Sequence, residues 1–328
     1  MDEKIKYSAV IRTLGKAGDK YRQLLDSLAS QSIKPEAIIV YIAEGYIIPE
    51  ETIGIEQYIY VKKGMVAQRA LPYDEVQTEY MLCLDDDLAF PPDTVERMFQ
   101  LLQAYNADVI SPDTFPNAQR PFKYELMMTI SGRMRARRFD NTWGYRVMRT
   151  GGYSYNKYPR KDVYVSQTNA GACFLCRKKD FLKIRFEEEL WMDSMSYALG
   201  EDQVMFYKMY CCGLKQLTWY NHQFVHLDAG GNMTSEKEQK RLYGDIFFKN
   251  VFWHRFIYTP EKSIFAKLWD ILCITYYLTF TLFMSLIKCE LRILRTKWRS
   301  LLDAYRFLHS EEYKSLPRIV KWYPNLVL

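Results

Sequence analysis

The sequence contains no Pro-, Gly- or Ser-rich stretch, no low-complexity segment and no internal repeat over its 328 residues. This composition excludes repeat proteins and chains with long flexible linkers. Residues 1–6 are charged and no apolar run follows them, which argues against a secretory signal peptide. The chain is long enough for a large α/β domain with an appendage, and because 48% of the residues are apolar we expect a sizeable core.

Cysteine is sparse and scattered along the chain. Among the seven cysteines, Cys173 and Cys176 form a CxxC pair, but no second pair stands at zinc-binding spacing. The sequence therefore does not favour a structural zinc site. We expect all seven cysteines to be reduced thiols in the core of a cytosolic protein.

Apolar runs alternate with helical patterns through residues 1–111. Runs typical of strands lie at residues 8–12, 37–42, 58–61, 80–84 and 109–111. Helical patterns occupy residues 21–28, 65–76 (interrupted by Pro72) and the segment after Pro91-Pro92-Asp93. This alternation is typical of a parallel sheet with right-handed crossovers, the arrangement of a Rossmann-like half.

The second half of the chain is less regular. Residues 112–160 are rich in arginine and aromatic side chains, which could stack on sugar rings or simply belong to the core. Beyond them we predict a strand over residues 172–176, a loop over 191–200, a helix from Glu201 and a strand near 217–219. Ser235 to Glu238 has the form of a capping box and predicts a further helix start.

A long apolar segment stands near the C-terminal end. Residues 271–287 contain no charged side chain, and a membrane-spanning helix needs about 17–25 such residues. Residues 288–299 then carry five basic side chains and one acidic one, in a chain of net charge +6. Basic residues next to the most apolar segment favour an anionic membrane surface over nucleic acid as the partner.

The basic residues that follow the apolar segment indicate how this tail is oriented. A single crossing would place the basic residues outside the cell, against the positive-inside tendency. We therefore expect an in-plane or re-entrant segment on the cytoplasmic face, with Trp269, Trp298 and Trp322 at the interface. The alternative is a buried helix that packs on the domain or on a second subunit of a homo-oligomer.

The strongest chemical signal is the triplet Asp85-Asp86-Asp87 at the end of an apolar strand. Ligands of open α/β sheets bind outside the carboxyl ends of strands. Adjacent carboxylates repel one another, and Mn²⁺ or Mg²⁺ would relieve that repulsion and bridge to phosphate oxygens. The alternative is a solvated acidic turn before the next helix.

Three weaker signals follow along the chain. Glu201 and Asp202 stand at a helix start, where carboxylates also occur as ordinary caps, and Asp202 could instead be a general base. Asn169 and Gly171 belong to a small-residue loop before a strand. His226 lies in Val-His-Leu-Asp and could be a metal ligand or a structural histidine.

In this order the motifs resemble family 2 glycosyltransferases of the GT-A fold. The resemblance covers about residues 7–230. Its parts are the first strand and helix (Ser8–Thr13, Ser27-Leu28, Gln31), the run from Val66–Ala70 to Asp85–Asp87, the loop Asn169–Ala172, the motif Gly200-Glu201-Asp202, and His226. It implies an α/β fold, with a Rossmann-like mixed sheet flanked by helices and, in this chain, a C-terminal helical region that associates with a membrane.

The resemblance also implies roles for individual residues. Asp87 would be a ligand of the divalent metal, and His226 a second one. Asp202 would be the general base, Glu201 its partner in orienting the acceptor, and Asn169 and Gly171 would form the loop at the acceptor site. The residues expected to bind the donor are Thr13, Glu44, Arg69, Asp85 and Asp86.

One departure concerns the donor base. The family has aspartates just after the second strand, whereas this chain has only Glu44, one or two places late. A uridine diphosphate sugar is therefore a default expectation for the donor.

We expect a metal-dependent, inverting transfer of a sugar from a nucleotide-diphosphate donor to a hydroxyl of a glycan or lipid-linked acceptor. Residues 1–250 would form the catalytic domain and residues 251–328 the membrane-association region. Two alternatives stay open: a retaining transferase or sugar nucleotidyltransferase on the same fold, and a non-catalytic membrane-anchored nucleotide-sugar-binding protein.

Overall fold

The structure of the protein is a computed structural model. It describes residues 6–114, 121–135, 142–197, 199–220, 222–227 and 234–321. Trp322 and Asp228 lie outside the described residues.

Within these ranges, eight strands form one mixed sheet in the order β3-β2-β1-β4-β10-β6-β11-β9, and two short pairs, β5 with β12 and β7 with β8, stand apart. The strands are β1 (Tyr7–Thr13), β2 (Ala37–Ala43), β3 (Glu56–Val61), β4 (Tyr80–Asp85), β5 (Leu88–Ala89), β6 (Val109–Pro112), β7 (Tyr145–Val147), β8 (Tyr153–Tyr155), β9 (Val163–Ser166), β10 (Cys173–Arg177), β11 (Gln216–Trp219) and β12 (Val225–His226).

Helices cover the sheet and form the C-terminal region. They are α1 (Asp19–Ala29), α2 (Thr94–Ala104), α3 (Phe122–Ile130), α4 (Lys178–Leu182), α5 (Glu201–Cys211), α6 (Ser235–Phe252), α7 (Ile264–Ile287), α8 (Leu291–Leu308) and α9 (Glu311–Ser315). A 3₁₀ helix spans Phe186–Ser194, and a π-helical segment, Trp253–Tyr258, continues α6.

The parallel half of the sheet follows the predicted alternation. Strands β3, β2, β1 and β4 are parallel, whereas β10 runs antiparallel to β4 and β6. Side chains alternate between two cores on opposite faces, so Val10 lies in one cluster while Ala9 and Ile11 lie in the other. The predicted α/β fold with a mixed sheet flanked by helices is confirmed.

Two local predictions are wrong. Residues 65–76 form turns instead of a helix, because Pro72 interrupts the segment and the Asp193 carboxylate accepts hydrogen bonds from the backbone N–H groups of Val66 (2.7 Å) and Ala67 (3.0 Å). Helix α6 is capped by Thr234 and not by Ser235, since the Thr234 hydroxyl accepts a hydrogen bond from the Lys237 N–H.

The cysteines are free, as predicted, but they are not all in the core. Cys83, Cys173, Cys176 and Cys211 are buried, whereas Cys212 and Cys289 are exposed. Cys212 follows the end of α5 and Cys289 lies between α7 and α8, where the chain turns at the surface.

Helix α7 extends the predicted apolar segment to 24 residues. In the part of the chain that the structure describes, it is the one helix long and apolar enough to cross a membrane, and only 28% of its most apolar window is buried. It is tied to the preceding α/β part of the chain by an ion pair between Arg149 and Asp270 and by a hydrogen bond from the Tyr276 hydroxyl to the Ile130 carbonyl (2.8 Å).

The C-terminal region also contributes to the core. Arg255, in the π-helical segment, donates to the fully buried Glu189 carboxylate at 2.8–3.2 Å, and Lys208 donates to it at 3.1 Å. Burial by itself would raise the pKa of Glu189, but Lys208 and Arg255 hold that pKa below its usual value. The expected boundary after residue 250 falls inside α6, whose continuation is part of this buried network.

Replacing Arg255 with Met should lower the free energy of unfolding by about 3–5 kcal/mol, because it leaves the Glu189 carboxylate buried with one cation fewer. Chemical denaturation in mild detergent would measure it. The control is Arg306→Met, which removes an exposed pair with Asp303 and should cost less than about 1 kcal/mol. Equal stability of the two variants would contradict a structural role for the buried pair.

Candidate active site

The acidic triplet lies where β4 ends beside β1. Arg12 and Asp85 are partners in the register of these strands, and the Arg12 guanidinium donates to the Asp85 carboxylate at 2.5 Å and to the Gly171 carbonyl at 3.2 Å. Arg12 was not predicted as a site residue. The signal available was its position, since a cation at the end of a buried strand needs a nearby anion.

Asp86 points to the loop after β1. Its carboxylate accepts a hydrogen bond from the Thr13 hydroxyl, whose oxygen in turn accepts the Gly15 N–H at 2.8 Å. Burial, opposed by the Thr13 hydrogen bond, raises the pKa of Asp86 to about 6. Thr13 and Asp86 therefore lie together, as the sequence predicted.

Asp87 is adjacent to His226. The pairing of β5 with β12 places His226 opposite Leu88, and the His226 Nε2 atom lies 3.1 Å from Asp87 Oδ1. The Leu227 N–H donates to the Asp87 carbonyl at 2.8 Å, which holds this pairing in register. The two residues predicted as metal ligands are thus neighbours, although they are 139 positions apart in the sequence.

Glu201 and Asp202 occupy the first turn of α5, after Gly200 with φ 86°. Asp202 Oδ2 accepts the Gly171 N–H at 3.2 Å, while Asp202 Oδ1 is buried and lacks a hydrogen bond in the structure. A Cβ atom on Gly171 would lie 1.9 Å from Asp202 Oδ1, so only glycine allows this close approach. The acceptor-site loop predicted from sequence therefore contacts the predicted general base.

Arg69 joins the two groups of carboxylates. Its Nη2 atom lies 3.5 Å from Asp202, 3.7 Å from Glu201 and 4.0 Å from Asp85, and its Nη1 atom donates to the Met65 carbonyl at 2.8 Å. The guanidinium thus balances charge on three carboxylates that belong to β4 and α5.

Despite these cations, the surroundings still disfavour the ionised form of the carboxylates. Burial and then the charge of Asp202 raise the pKa of Glu201 to about 7, although Arg69 opposes the shift. Burial likewise raises the pKa of Asp85 to about 7, with Arg69 opposing and Asp202 and Asp87 adding to it. Carboxylates whose pKa values are raised by burial and by neighbouring like charges are typical of functional sites.

Two cavities open on either side of this cluster. The first, which we call the triplet cavity, has a volume of about 320 Å³ and is lined by Arg12, Thr13, Leu14, Lys16, Ala17, Lys20, Gly64, Met65, Gln68, Arg69 and Asp85–Asp87. The second, which we call the Asp202 cavity, has a volume of about 810 Å³ and reaches from Asp202 to helices α6 and α8. The ion pairs of Arg69 with Asp85 and Asp202 connect the two.

Other predicted residues lie at different distances from this centre. Asn169 and Ala170 line the Asp202 cavity, but the Asn169 side chain also accepts a hydrogen bond from the Thr218 hydroxyl. Glu44 is exposed after the end of β2 and does not line the triplet cavity. Asp193, another carboxylate of this region, accepts hydrogen bonds from the backbone of Val66 and Ala67 and lines neither cavity.

Residues 58–185, which include β4 and the acidic triplet, match the family described as glycosyl transferase family 2. This segment is a family 2 glycosyltransferase domain. The chain is therefore a glycosyltransferase, as the sequence predicted. A comparison with curated proteins finds no significant match.

Two solved structures are similar to this one. The mannosyltransferase PcManGT from Pyrobaculum calidifontis, in complex with GDP-Man and Mn²⁺, shares 10% identity, and the match covers 96% of this chain and 83% of that one with a TM-score of 0.48. Residues 1–349 of S. aureus TarS share 13% identity over 84% of this chain and 71% of that one, with a TM-score of 0.46.

Gly171→Ala should displace the Asp202 carboxylate by about 1 Å, because the new methyl group would overlap it. We expect turnover to fall roughly 10²-fold, with donor affinity within a few-fold of the parent protein. Steady-state kinetics and donor titration measure the two quantities. The matched control is Gly244→Ala, where the nearest atom to a Cβ lies at 3.7 Å. Equal turnover of both variants would show that the contact with Gly171 does not matter for activity.

Glu201→Gln should stabilise the free protein at pH 8 and much less at pH 5. A carboxyl group whose pKa is raised from 4.5 to about 7 in the folded state costs stability when it is ionised, and that cost decreases as the pH falls below 7 and disappears near 4.5. The expected gain at pH 8 is about 1–3 kcal/mol. Urea denaturation at both pH values measures it, with exposed Glu36→Gln as the control. A gain independent of pH would contradict the assignment.

Proposed function

We propose that the protein transfers a sugar from a nucleotide-diphosphate donor to a hydroxyl group of a glycan or lipid-linked acceptor, with inversion at the anomeric centre. The observation that carries this proposal is the meeting of two cavities at one cluster. Asp85, Asp86 and Asp87 line the triplet cavity, Asp202 lines the second cavity, and Arg69 lies within 4.0 Å of both Asp85 and Asp202.

The triplet cavity suits the donor. It places Lys16 and Lys20 near the carboxylates, so it offers cations for phosphate oxygens and carboxylates for a metal. Thr13, Arg69, Asp85 and Asp86 are the donor-binding residues in this proposal. Uridine stays the default assignment for the donor base. Glu44 does not line the triplet cavity, so it would contact only a part of the donor that extends beyond this cavity.

The residues present fit a divalent cation. Among the described residues no group of three His, Cys, Asp or Glu side chains forms a complete cage, but Asp87 and His226 supply an oxygen and a nitrogen ligand 3.1 Å apart. Mg²⁺ is commonly held by one or two carboxylates together with substrate phosphates and water, and Mn²⁺ also prefers oxygen ligands, so Asp87 would be the main protein ligand and His226 an additional one. When bound, the cation would neutralise the diphosphate leaving group.

Asp202 is the proposed general base. Its side chain is 36% exposed, it lines the Asp202 cavity, and the Gly171 N–H holds Oδ2 in place. A carboxylate fixed in this way accepts a proton from an acceptor hydroxyl as that oxygen attacks the anomeric carbon. Glu201, at the same helix start, would orient the acceptor, while Arg69 balances the charge of both carboxylates.

Transfer in a single displacement from opposite sides of the sugar inverts the anomeric centre. Asp202 lines the proposed acceptor cavity and not the triplet cavity, and a carboxylate base on the acceptor side is what a single displacement requires. Anomeric analysis of the product by NMR distinguishes them, because a retained configuration would contradict the single displacement. A non-catalytic binding protein would need neither the Asp202 contact with Gly171 nor the Asp87 contact with His226.

The C-terminal region is proposed to lie on the cytoplasmic face of a membrane. Trp269 and Trp298 are 57% and 56% exposed, and Phe265 and Ile264 at the start of α7 are exposed as well. Aromatic residues beside basic ones suit the membrane interface and anionic headgroups. Packing on a second subunit is the alternative occupant of this apolar surface.

Asp202→Asn and Asp87→Asn should separate chemistry from donor binding. Asp202→Asn cannot accept a proton, so turnover should fall roughly 10²–10⁴-fold while donor affinity stays within a few-fold. Asp87→Asn should lose Mn²⁺-dependent donor affinity and turnover together, because it removes a charged ligand of the metal. Donor titration by calorimetry with and without Mn²⁺, together with turnover measurements, distinguishes them.

The control for both variants is Asp93→Asn, which changes an exposed carboxylate before α2 and should alter neither quantity. If Asp202→Asn weakens donor binding as much as Asp87→Asn does, Asp202 belongs to the metal site and the proposed division of roles is wrong.

The membrane assignment predicts that the double variant Trp269→Ser, Trp298→Ser loses most binding to vesicles containing phosphatidylglycerol, since both indoles leave the interface. Co-sedimentation measures it, with donor affinity as the control for folding. If the double variant still binds vesicles fully, the membrane assignment is wrong. If the parent protein is a dimer and the double variant dissociates, a second subunit covers this surface.

A further inference from the structure

Helix α7 has a polar stripe that faces the catalytic domain. Tyr277, Thr281 and Ser285 follow one another at intervals of four residues and are buried, although the helix is otherwise strongly apolar. Residues four apart share one face, so the three polar groups form one line. This line lies beside the far end of the Asp202 cavity, which reaches Glu290, Ile293 and Lys297 of the following helix.

Three cations from different elements converge on this stripe. The guanidinium carbon of Arg133 and the Nζ atom of Lys249 lie 5.4 and 5.6 Å from the centre of the Tyr277 ring. Arg133 Nη2 lies 3.5 Å from the Thr281 hydroxyl, and Lys297 Nζ donates to the Thr281 carbonyl at 3.1 Å. Arg133, Lys249 and Lys297 all line the Asp202 cavity.

Only one of the three cations has a carboxylate partner at ion-pair distance among the described residues, and Glu290 and Asp245 act on Lys297 at longer range. Lys249 pairs with Asp245 at 2.7 Å. Within the described ranges, neither Arg133 nor Lys297 has a carboxylate within 4.0 Å, and the Arg133 Nε atom is buried without a hydrogen bond. Burial and then repulsion by Arg133 lower the pKa of Lys297 to about 8.

We propose that Arg133, Lys249 and Lys297 bind the phosphate or diphosphate group of a lipid-linked acceptor, whose hydrocarbon chain lies along α7 and whose sugar reaches Asp202. The inference rests on the proposed function and names its acceptor class. Arg133 and Lys297 have no carboxylate at ion-pair distance among the described residues, and the buried Nε–H of Arg133 has no acceptor. A phosphate anion would supply both the negative charge and the acceptor.

The rest of the cavity suits the other parts of such an acceptor. Tyr153 and Tyr155 line the same space and offer ring faces to a sugar. Outside the cavity, α7 exposes Leu272, Phe283 and Leu286, an apolar surface that a lipid chain can follow. Lys297 is only 8% exposed, so it is less available to the headgroups of a flat membrane than to an anion inside the cavity.

The probe is farnesyl diphosphate, an isoprenoid diphosphate, titrated by calorimetry into the full chain in detergent. EDTA is present so that no metal draws the diphosphate to Asp87. Arg133→Gln and Lys297→Met should each weaken binding roughly tenfold or more, because each removes a charged donor. Arg133→Lys keeps the charge and should stay within a few-fold. Farnesol, which lacks the diphosphate, should bind at least tenfold more weakly, and so should inorganic pyrophosphate, which lacks the chain.

The matched control is Arg299→Gln on the same helix, whose side chain is 82% exposed. It should leave farnesyl diphosphate binding unchanged but weaken binding to phosphatidylglycerol vesicles, whereas Arg133→Gln should do the reverse. Equal farnesyl diphosphate affinity of Arg133→Gln, Lys297→Met and the parent protein, with unchanged thermal melting, would overturn the proposal.

Donor binding with Mn²⁺, measured on the same variants, tests the proposed function separately. We expect it to be unchanged by Arg133→Gln and Lys297→Met. Loss of donor binding in these variants would place the three cations in the donor site and overturn the acceptor assignment.

Discussion

The mutual repulsion of partly buried carboxylates at the end of β4 is the constraint around which the rest of the site is arranged. Asp85 is partly buried next to Asp86 and Asp87, and α5 brings Glu201 and Asp202 to the same place. Arg12 and Arg69 are the cations that make this arrangement possible in the free protein. A bound cation and a diphosphate would complete it, so the free site is prepared for ligands at a cost in stability.

The close contact between Gly171 and Asp202 links this electrostatic centre to the sheet. Gly171 precedes β10, which pairs with β4, so the loop, the acidic triplet and the start of α5 share one rigid framework. Small shifts of the backbone here would move the proposed base relative to the donor. Precise placement of this kind is worth orders of magnitude in rate.

The C-terminal helices have two roles that a simple anchor would not have. Arg255 completes a buried charge network with Glu189, and the polar stripe of α7 contacts Arg133 and Lys297, which line the Asp202 cavity. These contacts join α7 to the wall of the cavity. They give the recurring polar residues of α7 partners that a helix surrounded by lipid would not offer.

The sequence by itself determined the strand and helix alternation, the acidic triplet, the Glu201-Asp202 helix start and the apolar tail, because each depends on residues close together in the chain. It also predicted the partnership of Asp87 with His226 through a family resemblance. Only the tertiary structure decided that Arg12 pairs with Asp85, that Arg69 bridges three carboxylates, and that residues 65–76 form turns held by Asp193. These features depend on contacts between segments far apart in sequence, which local patterns do not encode.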